Sequence, residues 1–139
     1  MGEIPDAGPG AIWQRAGMGS VRIDLVLDCD DPDALADFWQ EALGYRTFGT
    51  WDGGVALAPQ RHGEDLPPLL LQRVPEAKQT KNRMHLDIVH DDVDAEVARL
   101  EQLGARRGHD GVQHHGPIRW VTMADPENNE FCVCSGFEW

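Results

Sequence analysis

Apolar and polar positions alternate in the stretch RIDLVLDCDD, residues 22 to 31, and again in RMHLDIVHDD, residues 83 to 92. A period of two predicts a strand with one buried face. In the first stretch Ile23, Leu25 and Leu27 point toward the helix that follows, and Asp24, Val26 and Asp28 point into a cleft. In the second, Leu86 and Ile88 face the helix, so His85, Asp87 and Val89 face the cleft. Each stretch runs into an acidic pair, and the pattern then turns helical. Leu35, Phe38, Trp39, Ala42 and Leu43 fall at the spacing of one buried helix face. Asp31 is placed to cap that helix, Pro32 suits its first position, and Gly44 supplies a left-handed end. In the second copy Asp91 or Asp92 caps, Val93, Val97 and Leu100 form the stripe, and Gly104 ends it. The acidic pairs thus have a structural task.

Two landmarks show that the chain repeats itself. Ile23 and Met84 are 61 positions apart, and Gly44 and Gly104 are 60 apart, which points to a tandem duplication. Short strands are predicted after each helix, at 45–48, 54–58 and 69–74 in the first copy and near 105–108, 120–124 and 130–135 in the second. Each half then reads βαβββ, an α+β arrangement, with module one over 21–75 and module two over 83–136. The stretch PEAKQTKN between them is a polar linker. Residues 1–20, rich in Gly and Pro, read as a flexible N-terminal arm anchored by Trp13.

Composition adds limits. With 139 residues, 41% of them apolar and 26% charged, the chain reads as one soluble domain, 21–139. A net charge of −12 disfavours nucleic acid and anionic membrane surfaces as partners, since both demand a basic face. No signal segment and no run of 18 apolar residues is present, so a reducing, cytoplasmic setting is expected. Cys132 and Cys134, in CVC, would share one face of a strand. They read as small buried hydrophobes, with a thiol metal pair as the alternative.

The stretches DCDDPDALADFWQEALGY, NRMHLDIVHDDVDAEVARLEQLGA and WVTMADPENNEFCVC carry a resemblance that spans roughly residues 21 to 136. The chain resembles the vicinal oxygen chelate superfamily, which includes glyoxalase I, extradiol dioxygenases, and fosfomycin- and bleomycin-resistance proteins. It is most similar to glyoxalase-like single-domain members. The resemblance implies a curved mixed sheet around a cleft with the helices outside, pairing into a homodimer, and a divalent ion bound on the sheet's inner face. His85 stands at the superfamily's usual histidine position, and Asp24 at the matching position of the first half. Seven residues after Asp125, where the family has Glu, this chain has Cys132. Gln72 is the polar candidate in the last strand of the first half. The implied metal set is therefore His85, Asp24, Gln72 and Cys132, a mixture of soft and hard donors that departs from the family pattern. Asn128 replaces a family Gly, and asparagine tolerates the left-handed turn needed there.

Three functions stay open on these residues. One is a cleft without the standard metal, binding a small polar or cationic molecule with Asp28, Asp87, Trp51 and Trp120. Another is a lyase, isomerase or dioxygenase using one Zn, Mn, Ni or Fe ion on His85 and Asp24. The third is a metal-free enzyme in which His85 and Asp24 form a catalytic proton-transfer pair. Trp51 and Trp120 suit either stacking on a flat ligand or plain packing. His109, His114 and His115 fall in a Gly-rich stretch, RRGHDGVQHHGPIRW, that reads as a solvent-facing loop. Such a loop could also close over the cleft and bring His114 or His115 to His85. His62 lies in a comparable loop.

Overall fold

The computed structural model describes residues 23–60 and 65–136; the N-terminal arm with Trp13, and His62, lie outside the described residues. The chain divides into two compact units at Ala77/Lys78, and each holds one module. The first runs β1 (Leu25–Cys29), α1 (Pro32–Leu43), β2 (Tyr45–Trp51), β3 (Gly54–Pro59) and β4 (Leu69–Arg73). The second runs β5 (Asp87–Val89), α2 (Val93–Gln102), β6 (Arg106–His115), β7 (Ile118–Ala124) and β8 (Glu130–Cys134). Each module forms its own four-stranded mixed sheet, ordered β1-β4-β3-β2 and β5-β8-β7-β6. In both, the first strand pairs parallel with the last and the other pairs are antiparallel. The repeat seen in the sequence is thus a repeat of topology.

Helix α1 follows from its local chemistry. The Asp31 carboxylate accepts the Ala34 amide at 3.2 Å, and Gly44 closes the helix at φ 67°. Leu35, Ala36, Phe38, Trp39 and Ala42 are buried, on the face that packs against β2, β3 and β4. Phe38 and Trp39 meet edge to face, ring centroids 5.1 Å apart. Strands β2 and β3 are joined through Asp52 and Gly53, the latter at φ 97°, an Asp-Gly hairpin turn. Trp51 folds over Gly54: a Cβ there would run into the indole ring.

Helix α2 is capped by Asp92, which accepts the Ala95 amide at 3.0 Å. Val93, Val97 and Leu100 are buried as the stripe predicts, but Glu96 is buried with them. Arg99 clasps it through Nη2–Oε1 at 2.6 Å and Nε–Oε2 at 2.9 Å. This hydrogen-bonded guanidinium holds the Glu96 carboxyl below the usual range, against the opposite pull of burial. A depressed folded-state pKa stabilises the fold above the ordinary glutamate range and is lost as pH falls through the depressed value. Urea midpoints are therefore expected to drop on acidification below that range, and Glu96→Gln should flatten the acid limb. An identical acid limb in both proteins would remove Glu96 as a contributor.

Two expectations are corrected. Ile23 does not face the helix: it lies ahead of β1 and is 67% exposed. From Leu25 onward the alternation holds, with Val26 and Asp28 exposed and Leu27 and Cys29 more buried. The Gly-rich stretch before Trp120 is not a loop but the long strand β6, paired with β7 through a two-residue turn at Gly116 and Pro117. A bulge between Arg107 and Val112 absorbs Gly111 at φ 64°, and at Gly108 a Cβ would lie 3.0 Å from the Thr122 carbonyl. Cross-strand hydrogen bonding overrides the loop preference of these glycines.

Candidate functional site

Alternation along β5 and β8 determines which side chains can meet. Asp87 and Cys132 are register partners on these parallel strands, and Val89 pairs with Cys134. Paired residues leave the sheet on the same face. His85, two residues before Asp87, returns to that face: its Nδ1 lies 3.1 Å from Asp87 Oδ1. The side chains of His85 and Asp87 are 34% and 48% exposed, whereas Cys132 and Cys134 are buried. One nitrogen of His85, one oxygen of Asp87 and the sulfur of Cys132 lie within 4.8 Å of one another.

These residues line a cavity of about 510 Å³ within the second module, together with Trp120, Thr122 and Cys134. Lys81, Asp110 and His115 stand around it as well. Burial pushes the Cys132 thiol up, a contact from Thr122 Oγ1 at 3.7 Å opposes this, and Asp87 adds to the rise. The Cys134 thiol is raised for the same first reason, burial, with Asp87 contributing. No disulfide involves either sulfur.

The approach to His85 is fixed by Glu130, the first residue of β8. Its Oε1 accepts Lys78 Nζ at 2.9 Å and its Oε2 accepts the Asn82 amide at 2.9 Å. Burial alone would raise the Glu130 carboxyl, but these two donors hold it below the usual range. At the other end of the β7–β8 connection, fully buried Asp125 organises the turn. It accepts the Glu127 and Asn129 amides, each at 2.9 Å, and the Asn129 side chain through both oxygens. Asn128 adopts φ 70°, the left-handed conformation expected of it.

The sequence-predicted residues separate by module. His85, Asp87, Trp120 and Cys132 converge on the cavity of the second. In the first, Asp24 is exposed ahead of β1, and Asp28 pairs in register with Gln72 of β4, both exposed. Trp51 covers Gly54, which is packing within its own hairpin. His109 and His114 are exposed strand residues, and His115 reaches the cavity of His85. Sequence reasoning missed Thr122 and Cys134 as walls of that cavity. Alternation was a usable signal, because both share a strand face with a residue already singled out: Thr122 with Trp120, and Cys134 with Cys132.

A family model described as a glyoxalase-like domain matches residues 24–134, and the chain belongs to that family. No curated protein sequence matches it. Among solved structures it is similar to a glyoxalase/bleomycin resistance protein/dioxygenase family enzyme from Burkholderia phytofirmans. That pair shares 14% identity over 79% of this chain and 94% of the other, with a TM-score of 0.64. It is also similar to a mutant of the fosfomycin resistance protein FosX from Listeria monocytogenes, complexed with Mn(II) and 1S,2S-dihydroxypropylphosphonic acid. There the identity is 13%, the coverage 87% and 93%, and the TM-score 0.68. The oxidase ChaP-H2 matches at 16% identity over 86% and 96%, with a TM-score of 0.63. At these identities the likeness is one of fold.

A divalent ion of the kind held by the Listeria protein sets a test for the residues present here. Manganese(II) favours oxygen donors and gains little from a thiol. The cluster of His85, Asp87 and Cys132 does not fit such a hard ion. Zinc, which takes sulfur, nitrogen and oxygen together, is the class of ion these donors suit.

Proposed function

We propose that this glyoxalase-like protein binds a small polar molecule bearing a cationic group in the cavity of its second module. The observation that carries the reading is the convergence of the His85–Asp87 pair and Trp120 on one concave surface. The Asp87 carboxylate supplies a charge for an ammonium or guanidinium group, and the net charge of −12 favours approach of a cation. The Trp120 ring offers a flat apolar wall and a cation–π surface. His85 holds Asp87 in place through the 3.1 Å contact of its Nδ1 with Oδ1.

A panel of organic amines, with neutral and anionic analogues of matched size, tests this by melting shift. Amines are expected to raise the melting temperature, and Asp87→Asn should weaken them about tenfold or more, the effect of losing a charged hydrogen-bond partner. A preference for the anionic analogues, or amine binding indifferent to Asp87→Asn, would reject the reading. A divalent-metal lyase, isomerase or dioxygenase with His85 as a ligand is the second reading, favoured by Asp87 and Cys132, the donors gathered around that histidine; Asp24 is not among them. It differs in requiring a turnover that depends on added metal.

A further inference from the structure

We propose that the first module carries a binding site of its own, where the start of α1, the β2–β3 turn and the end of β4 meet, and that it takes a small zwitterion of the amino-acid type. The site shares no residue with the cavity of His85, so the proposal does not depend on the binding of an organic cation there.

The concavity encloses about 330 Å³ and is lined by Trp51, Asp52 and Arg73, with Asp33 and Thr50 beside them. Hydrogen bonds fix its walls to one another. The Arg73 amide donates to the Gly53 carbonyl at 2.7 Å, which ties the hairpin turn to the end of β4. The Arg73 side chain donates from Nε to the Asp30 carbonyl at 3.2 Å, which ties it to the residue before the helix cap. Trp51 rests on Gly54, where a side chain would collide with the indole, and still lines the concavity. Part of the cost of ordering these walls therefore falls on folding and not on binding.

The charges lining it select the ligand. Beyond its Nε bond, the Arg73 guanidinium has no partner among the described residues, and neither the Asp33 nor the Asp52 carboxylate has one. Opposite charges thus line one small concavity without pairing with each other. A simple anion would meet Arg73 but also two carboxylates, and a simple cation would meet the carboxylates but also the guanidinium. A molecule bearing both an ammonium and a carboxylate satisfies both sides. The two terminal nitrogens of Arg73 take the ligand's carboxylate through parallel hydrogen bonds, and Asp33 and Asp52 accept from its ammonium. Trp51 gives the hydrocarbon between them a flat wall. The volume stands near the lower end of the roughly 300–1,000 Å³ usual for small-molecule sites, which suits an amino acid and not a nucleotide.

An NMR titration of the isotope-labelled full chain with glycine, γ-aminobutyrate and ε-aminocaproate tests the site, each beside the carboxylic acid and the amine of matched length. Saturable shifts are expected at the Trp51 indole N–H and at the Gly53 and Gly54 amides. At least one of the three zwitterions should bind roughly tenfold or more tightly than both its matched compounds, since each of those leaves one side of the site unpaired. Arg73→Gln should remove the preference for that zwitterion over the amine. Asp33→Asn combined with Asp52→Asn should remove its preference over the carboxylic acid. All three positions are exposed, and circular dichroism checks that the variants fold. Absence of saturable shifts at these groups, equal binding of the matched compounds, or preferences that survive the substitutions would each overturn the proposal. Loss of both preferences together in either variant would do the same, because it would mark a structural role for the substituted residue. The Trp120 indole N–H reports the cavity of the second module in the same spectra, so amine binding there is read separately.

Discussion

Trp39→Ala is expected to destabilise the protein by about 3–5 kcal/mol, the range for deleting a buried aromatic ring. Trp39 is 1% exposed and is one of the largest fully buried side chains. It packs edge-on to Phe38, on the helix face that meets three strands of the first sheet. Alanine would remove the ring and leave a cavity that a helix tied at both ends cannot close, with Asp31 at one end and Gly44 at the other. Against a total stability of about 5–15 kcal/mol for a domain, the loss is large. A urea midpoint lowered accordingly, with unchanged slope, is the expected outcome. A loss under about 1 kcal/mol would show that the ring's burial contributes far less than core deletions normally do.

Asp125→Ala should have an effect of similar size through a different mechanism. Its carboxylate is fully buried and receives two backbone amides and one side-chain amide. Alanine would strand the Glu127 and Asn129 amides without their acceptor. At roughly 1–3 kcal/mol for each buried donor left unsatisfied, a loss of about 3 kcal/mol follows. The damage should also be directional. This turn feeds β8, so amide hydrogen exchange is expected to speed up in Phe131–Cys134 before it does in the first module. Uniform acceleration across both modules would contradict a local role for the turn.

Much of this architecture was legible because its signals are local. Asp31, Pro32 and Gly44 bracket α1 by capping chemistry, and alternation put His85 and Asp87 on one face. The family resemblance rested on stretches such as DCDDPDALADFWQEALGY, where those local signals are densest. What escaped depended on pairing between distant segments. Strand β6 was hidden because Gly108 and Gly111 carry loop preferences that only the partner strand β7 overrides. Glu96 sits among the buried residues of α2, and no local signal marks it, because its burial depends on Arg99 closing over it. The site divided in the same way. Cys132 was located by counting from Asp125, but its partnership with Asp87 is a matter of inter-strand register, which no single strand reveals. Trp51, the other stacking candidate, lies over Gly54 and lines a separate concavity of the first module.

The bond pair made by Glu130 has an entropic meaning. A polar tether between modules would ordinarily sample many conformations, and immobilising each residue on ligand binding would cost roughly 1–2 kcal/mol of backbone entropy. With Lys78 and Asn82 both fastened to Glu130, the segment is tied to β8 at two points, and part of that cost falls on folding instead. The wall bearing His85 is preorganised. A ligand of the cavity would then meet a wall already held at two points by Glu130.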